Sequence, residues 1–274
     1  GTNGKTTVTA LTAHLLQVAG MHAVAVGNIG DTCISAVGAH AADVYVAEVS
    51  SYQLASTKRF APNVAVLLNI TPDHLHWHRT LDNYRDAKFK LLDNLASVPG
   101  AVAVMDATND VVRAKVRALR EVKGGCGFAC VPMGTADGLT GDMRKRCGAE
   151  NAAFVAQDGT LTVALNGGEH ALVNENSLLI KGAHNAGNAL AAAAAALAAG
   201  ANEAAVAAAL VTFAPLEHRI EPCGTVRGAQ CYNDSKATNV DATLKALAAF
   251  PHTRPIVLLG GDDKGTDLAD LVTA

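Results

Sequence analysis

The sequence predicts an α/β fold in two parts, a first domain over residues 1–213 built on a mostly parallel sheet and a shorter α/β unit over residues 214–274. Three observations predict it. Short runs rich in Val and Ile alternate with helix-like stretches. Those runs are apolar throughout, as strands covered on both faces are. Pro215 follows the last Ala-rich helical stretch, and a new strand-like and helix-like pattern starts beyond it.

The predicted strands are residues 23–26, 44–49, 64–70, 101–105 and 256–259. The predicted helices are residues 6–19, 81–95, 110–119, 186–199, 204–210 and 241–249, where apolar residues recur three or four apart. Residues 124–168 are Gly-rich with short alternating pieces, and they read as loops and antiparallel hairpins at the edge of the first domain. A strand-like stretch at 224–232, a helix and the strand at 256 open the second unit.

Half of the 274 residues are hydrophobic, enough for a sizeable core. A net charge of -3 lacks the basic surplus of a nucleic-acid binder. The Ala-rich stretches are too short and too poor in large apolar residues for a membrane span. The six cysteines are scattered without a disulfide framework, which fits a reducing cytoplasm. Cys126, Cys130 and Cys147 lack the paired knuckles of a zinc ribbon.

The chain opens Gly1-Thr2-Asn3-Gly4-Lys5-Thr6-Thr7 before a helical run. A Gly-Lys-Ser/Thr ending is that of a phosphate-binding P-loop. Glycines let backbone N–H groups wrap the phosphates, Lys5 reaches the β- and γ-phosphates, and the Thr6 hydroxyl binds Mg2+. An ordinary helix start is the plainer account of the same residues. The full pattern also wants a preceding strand and glycine.

Polar residues then fall at strand ends, where open α/β sheets bind ligands. Glu48 lies inside an apolar run and precedes Ser50, while the strand at 64 leads into Asn69, Asp73 and His74. A buried carboxylate needs a partner, and a divalent cation or a strand-end salt bridge would serve. Lys88 lies on the apolar stripe formed with Leu81, Tyr84, Leu91 and Leu95. Its stem can be buried with the amine in water, or the amine can be desolvated and neutral enough to take up CO2 as a carbamate.

Downstream, Asn185 and Asn188 are three apart at a helix start, suited either to capping or to hydrogen-bonding an adenine. His218-Arg219, the polar turn at 233–239 and the Gly-rich turn at 260–265 with Lys264 follow.

In this order along the chain, residues 1–7, 48–51, 69–74, 88, 184–188 and 218–219 resemble the Mur ligases, cytoplasmic enzymes that build the stem peptide of peptidoglycan. Residues 233–239 and 260–265 are similar to those of the member that adds D-glutamate. The resemblance implies a P-loop central domain and a truncated Rossmann-like C-terminal domain, without the first strand and without the domain that grips the UDP moiety. It implies ATP, two Mg2+ ions and a carbamylated Lys88, and as partners a UDP-linked muramoyl substrate and D-glutamate, in a monomer. By the same resemblance Gly1, Thr2, Asn3, Gly4, Lys5, Thr6 and Thr7 hold phosphates. Thr6, Glu48, His74 and Lys88 ligate metal, and Asn28 lies near the γ-phosphate. Asn185 and Asn188 contact adenine, and Arg219 and Asp234 reach the nucleotide. Ser50, Lys236, Thr238 and Lys264 face the substrates. His76 stands where relatives carry Asp. The alternatives are another Mur-type or folylpolyglutamate-type ligase, or a nucleotide-binding module without turnover.

Overall fold

The computed structural model describes residues 1–134, 151–251, 253–261 and 267–273. Helix α1 (Lys5–Val18) leads into β1 (Ala23–Gly27), a short helix α2 (Cys33–Gly38) and β2 (Val44–Glu48), which pairs parallel with β1. Helix α3 (Ser51–Ser56) leads to β3 (Val64–Leu67), then α4 (Leu75–His78) and α5 (Leu81–Phe89). Strand β4 (Val102–Asp106), α6 (Asp110–Arg120), β5 (Ala129–Met133), β6 (Ala152–Val155), β7 (Thr160–Leu165) and β8 (Gly168–Asn174) follow. Strands β3 to β8 form one sheet in chain order, parallel as far as β6 and antiparallel from β6 to β8.

The pleat of β4 divides the core. Val102 and Val104 pack with α1 and with α7 (Ala183–Ala198) on one face, and Ala101, Ala103 and Met105 pack with Tyr84, Leu95 and Val116 on the other. Every residue from Ala189 to Ala196 in α7 is buried. Alanine favours helix and carries no bulk, so this helix can lie close to both α1 and the sheet. Helix α8 (Glu203–Leu210) completes that layer, with Val206 and Leu210 inward. On the other face, Asn109 caps α6 and Val112 and Val116 point inward.

A cavity of about 700 Å³ separates β2 from β3. Val46, Val66 and Leu68 line its wall, with Lys5, Glu48 and Lys88 also on it. The β1–β2 pair is therefore a separate sheet, held to the main body through α1.

Beyond Phe213 no described residue is buried. The segment holds an antiparallel hairpin, β9 (Glu221–Val226) and β10 (Ala229–Asn233), then α9 (Val240–Ala248) and α10 (Ala269–Thr273).

Several expectations are corrected. Residues 256–259 form no strand, and Ile256 and Leu258 are 94% and 92% exposed, because an apolar run still needs a neighbouring edge to pair with. The stretch at 224–232 is two strands rather than one, turned at Gly228. The helix expected over 81–95 ends at Phe89 and tightens into 3-10 turns at Lys90–Leu92 and Leu95–Ser97. Within 124–168, β5 joins the parallel part of the sheet. None of the described helices is long and apolar enough to cross a membrane.

Candidate active site

The glycine loop is tied to the end of β3. The Thr2 N–H donates to the Asn69 carbonyl at 2.6 Å and the Asn3 N–H to Asn69 Oδ1 at 2.8 Å. The Thr2 hydroxyl donates to the Thr71 carbonyl at 3.1 Å and accepts from the Thr71 N–H at 3.0 Å. Gly4 holds φ 85 at the start of α1, and a Cβ there would lie 2.4 Å from Asn188 Oδ1. Only glycine suits that turn and that close approach.

Lys5 folds back on the loop, its amine donating to the Thr2 carbonyl at 2.8 Å. Burial lowers its pKa, with the charge of Glu48 opposing. The Thr6 hydroxyl meets Arg219 Nη2 at 2.9 Å. Thr7 is buried in α1.

Glu48 ends β2 and is 3% exposed. The Asn28 amide donates to its Oε1 at 3.0 Å, and the Asn28 N–H donates to its carbonyl at 2.8 Å. Gly27 permits this approach, since a Cβ at its φ of 99 would lie 2.4 Å from the Glu48 carbonyl oxygen. Glu48 Oε2 is buried with no hydrogen-bond partner among the described residues. An ionised oxygen so placed is costly unless a cation or proton meets it, so the residues present fit a divalent cation here. Among the described residues no three of His, Cys, Asp and Glu converge as a metal site. A cation at Glu48 would therefore need donors beyond that set, such as the Thr6 hydroxyl, phosphate oxygens or a modified Lys88, beside at most one further His, Cys, Asp or Glu.

Lys88 lies 3% exposed on α5. Its amine donates to the Gly1 carbonyl at 2.9 Å and stands 4.5 Å from the centre of the Tyr84 ring. Burial first, then repulsion from Lys5, lowers its pKa to about 7. The snorkelling account fails, since the amine points into the protein rather than to water. Burial lifts Tyr84 to about 12, and its hydroxyl pairs with that of Thr2 at 3.1 Å.

His74 begins α4 with φ 54, and the Asp73 carboxylate accepts its N–H at 2.9 Å. Its ring lies 5.0 Å from Tyr52 and 6.3 Å from Tyr84. Ser50 caps α3 in a reciprocal arrangement with Gln53.

A second cavity of about 460 Å³ adjoins the loop, lined by Asn3, Gly4, Asn188, Asp106, His184 and Lys245 among others. Asn185 and Asn188 do not cap α7, whose N-cap is Gly182. The Asn188 amide donates to Asn185 Oδ1 at 3.0 Å, and both are buried. Asp234 accepts the Ile220 N–H at 3.1 Å, and burial raises its pKa. Lys236 and Thr238 are exposed, and Lys264 lies outside the described residues, as does Cys147.

The structure thus brings Gly1, Lys5, Glu48 and Lys88 to one cavity wall and ties Arg219 to Thr6. Sequence reasoning missed the Asn3 amide donating to Asp241 at 2.6 Å and the buried pair of His78 with Ser51. It named Tyr84 only as an apolar residue, and spacing alone does not show where its hydroxyl goes.

The Mur ligase middle domain model matches residues 1–196. The chain is 37% identical over 281 residues to the UDP-N-acetylmuramoylalanine–D-glutamate ligase of Thermoanaerobacter sp. (strain X514), covering 100% of this chain and 56% of the relative. It is 38% identical over 276 residues to the enzyme of that name from Alkaliphilus metalliredigens (strain QYMF), again covering 100% and 56%. The chain thus spans about half the length of these curated relatives. Of solved structures, MurF from Acinetobacter baumannii superposes with a TM-score of 0.64 at 17% identity, over 91% of this chain and 52% of that one. A pseudomurein peptide ligase type C from Methanothermus fervidus gives 0.64 at 19%, over 92% and 56%. These two likenesses show the fold, and with the family model they place the α/β architecture expected from the sequence: the chain belongs to the Mur ligase family.

Proposed function

We propose that the chain is the ATP-binding portion of a ligase that joins D-glutamate to UDP-N-acetylmuramoyl-L-alanine, forming ADP through an acyl phosphate. The relatives' names support the substrates. The buried, unpartnered Glu48 Oε2, on the same cavity wall as Lys5 and Lys88, is the observation that carries the phosphate chemistry.

Bound Mg2+, with Glu48, His74 and Thr6 as its protein ligands, would neutralise charge on the transferring phosphoryl group. Lys5 swings from the Thr2 carbonyl to the β- and γ-phosphates. The substrate carboxylate attacks the γ-phosphorus and ADP leaves. The amine of D-glutamate then attacks the acyl carbon, and phosphate departs. Lys88, largely neutral near pH 7.5, adds to CO2 with loss of a proton, which turns its amine into an anionic oxygen donor suited to a second Mg2+. Asn28 holds Glu48 in place. Asn185 and Asn188 read the adenine from the second cavity, and Arg219 exchanges Thr6 for phosphate.

In this reading residues 1–213 form the ATP-binding domain. Residues 214–274 begin the domain that closes over the nucleotide and excludes water, carrying Asp234, Lys236, Thr238 and Lys264 inward. The protein is a cytoplasmic monomer. The test is ADP release by a protein extended to the relatives' length, given UDP-N-acetylmuramoyl-L-alanine and one amino acid at a time. D-Glutamate should stimulate it, and L-lysine, L-glutamate and meso-diaminopimelate should not. Stimulation by another acceptor alone would overturn the assignment.

A further inference from the structure

We propose that His78 is a positioning residue that fixes the Glu48, His74 and Lys88 segments relative to one another, and so sets the geometry of the cation site. The inference rests on the proposed function. His78 is 4% exposed. Its Nε2 lies 3.0 Å from Ser51 Oγ, itself buried in the first turn of α3, three residues beyond Glu48. Its ring stacks on Tyr52 at 5.7 Å and meets the edge of Tyr84 at 5.1 Å. The Asn83 amide donates to its carbonyl at 2.9 Å, and its own N–H donates to the His74 carbonyl at 3.1 Å.

The His78 side chain therefore touches the segments that carry Glu48 and Lys88, and its backbone N–H ties it to His74. Through Ser51 it reaches the end of β2, through the α4 backbone it holds His74, and through Tyr84 it reaches the ring over which the Lys88 amine sits. A buried imidazole is costly unless its nitrogens are used, and an apolar ring would fill the same space without that cost. Its ring Nε2 hydrogen-bonds to the segment that carries Glu48. No described ladder hydrogen bond joins β2 to β3, so this cross-link substitutes for backbone pairing between the two sides of the site.

The test is ATP binding by the chain of residues 1–274 across a Mg2+ titration, in the native protein and in His78→Phe, Ser51→Ala, the double variant and His78→Gln. Groups that orient metal ligands typically cost about 10–100-fold in metal affinity when removed. The half-saturating Mg2+ concentration should rise at least about 10-fold in His78→Phe and in Ser51→Ala, with metal-free ATP affinity unchanged. The double variant should be no worse than the weaker single variant, because both remove one interaction. His78→Gln, with an amide nitrogen near the place of Nε2, should recover most of the loss. An unmoved Mg2+ midpoint in Ser51→Ala, additive losses, or an equal fall in metal-free affinity would each overturn the role. A native chain whose ATP binding ignores Mg2+ would overturn the proposed function itself, a result visible without any variant.

Discussion

Residues 1–213 and residues 214–273 differ in how they are held together. The first region buries leucines such as Leu11, Leu15, Leu190 and Leu210 to 1% exposure or less around a six-stranded sheet. The second buries none of its described residues, packs Leu216 only part-buried against the first region's core, and is otherwise tied to it by polar bonds. Arg219 reaches Thr6, Asn239 and Asp241 reach Asn3, and the Asp241 carboxylate also takes the Lys245 amine at 2.9 Å. The glycine loop lies at the joint. A loop fixed by a dry core on one side and by exchangeable hydrogen bonds on the other can keep its shape while its partners change. On the proposed function, nucleotide phosphates would compete for the same donors that now join the two regions, Arg219 and the Asn3 amide.

The largest effect expected from breaking the first region's chemistry is at Lys88. In a protein of the relatives' length, Lys88→Ala should reduce turnover by roughly 100-fold or more, the several kcal/mol that a lost anionic ligand costs a charged transition state. Added bicarbonate or chloride should restore part of it. Steady-state ADP release measures both, and turnover indifferent to Lys88 would remove the carbamate from the mechanism.

The contrast in burial predicts a contrast in stability. Leu11→Ala should cost about 2–5 kcal/mol of unfolding free energy, from lost transfer energy and the cavity left behind. Ile256→Ala, at a side chain 94% exposed, should stay within about 0.5 kcal/mol. Urea denaturation of the two variants checks this, and a large effect at Ile256 would show that the second region has a core of its own.

Between these lies the joint. Arg219→Gln removes the donor to the Thr6 hydroxyl, a part-buried bond of the charged kind worth about 1.5–3 kcal/mol at most. It should speed proteolysis and amide exchange within residues 214–273 while leaving the β4 and β7 amides as protected as before. Uniform loss of protection across both regions would contradict the picture of a core with an attached unit.

How much of this was legible in the sequence follows from the same contrast. Glu48 and Lys88 stood out because a charge inside an apolar pattern is conspicuous, and both are buried at the site. The long helices were readable from their three-to-four periodicity, and most of the parallel strands from continuous apolar runs, which strands buried on both faces require. Helices α3 and α4 have six and four residues, too few to show a period, and they escaped notice although they carry Ser51 and His78. The run at 256–259 misled in the other direction, since it is apolar as a strand is but has no paired edge. Strand β5 contains Pro132 and follows a Gly-rich stretch, and those local signals outweighed its place beside β4. Contacts such as Asn3 with Asp241 join residues too far apart in the chain for any spacing rule to pair them.

The smallest effect concerns pH. His184 opens α7 and lines the second cavity with Lys245 of α9, and burial first, then the Lys245 charge, lowers its pKa to about 4. An unfolded histidine titrates near 6.5. The folded state therefore prefers the neutral ring, and the unfolded state binds the proton more readily between these values. The contribution of His184 is fully present above about pH 6.5 and is lost progressively as pH falls toward about 4. Carboxylates also titrate in that range, so the informative quantity is a difference: Tm of the native protein minus Tm of His184→Gln, followed from pH 7.5 to 4.5. That difference should shift in favour of the variant as the solution becomes acidic, because glutamine takes up no proton and leaves Lys245 unopposed by a second positive charge. A difference independent of pH would mean that the His184 ring is no less solvated in the folded protein than in the unfolded chain, and that neither burial in the second cavity nor the Lys245 charge acts on it.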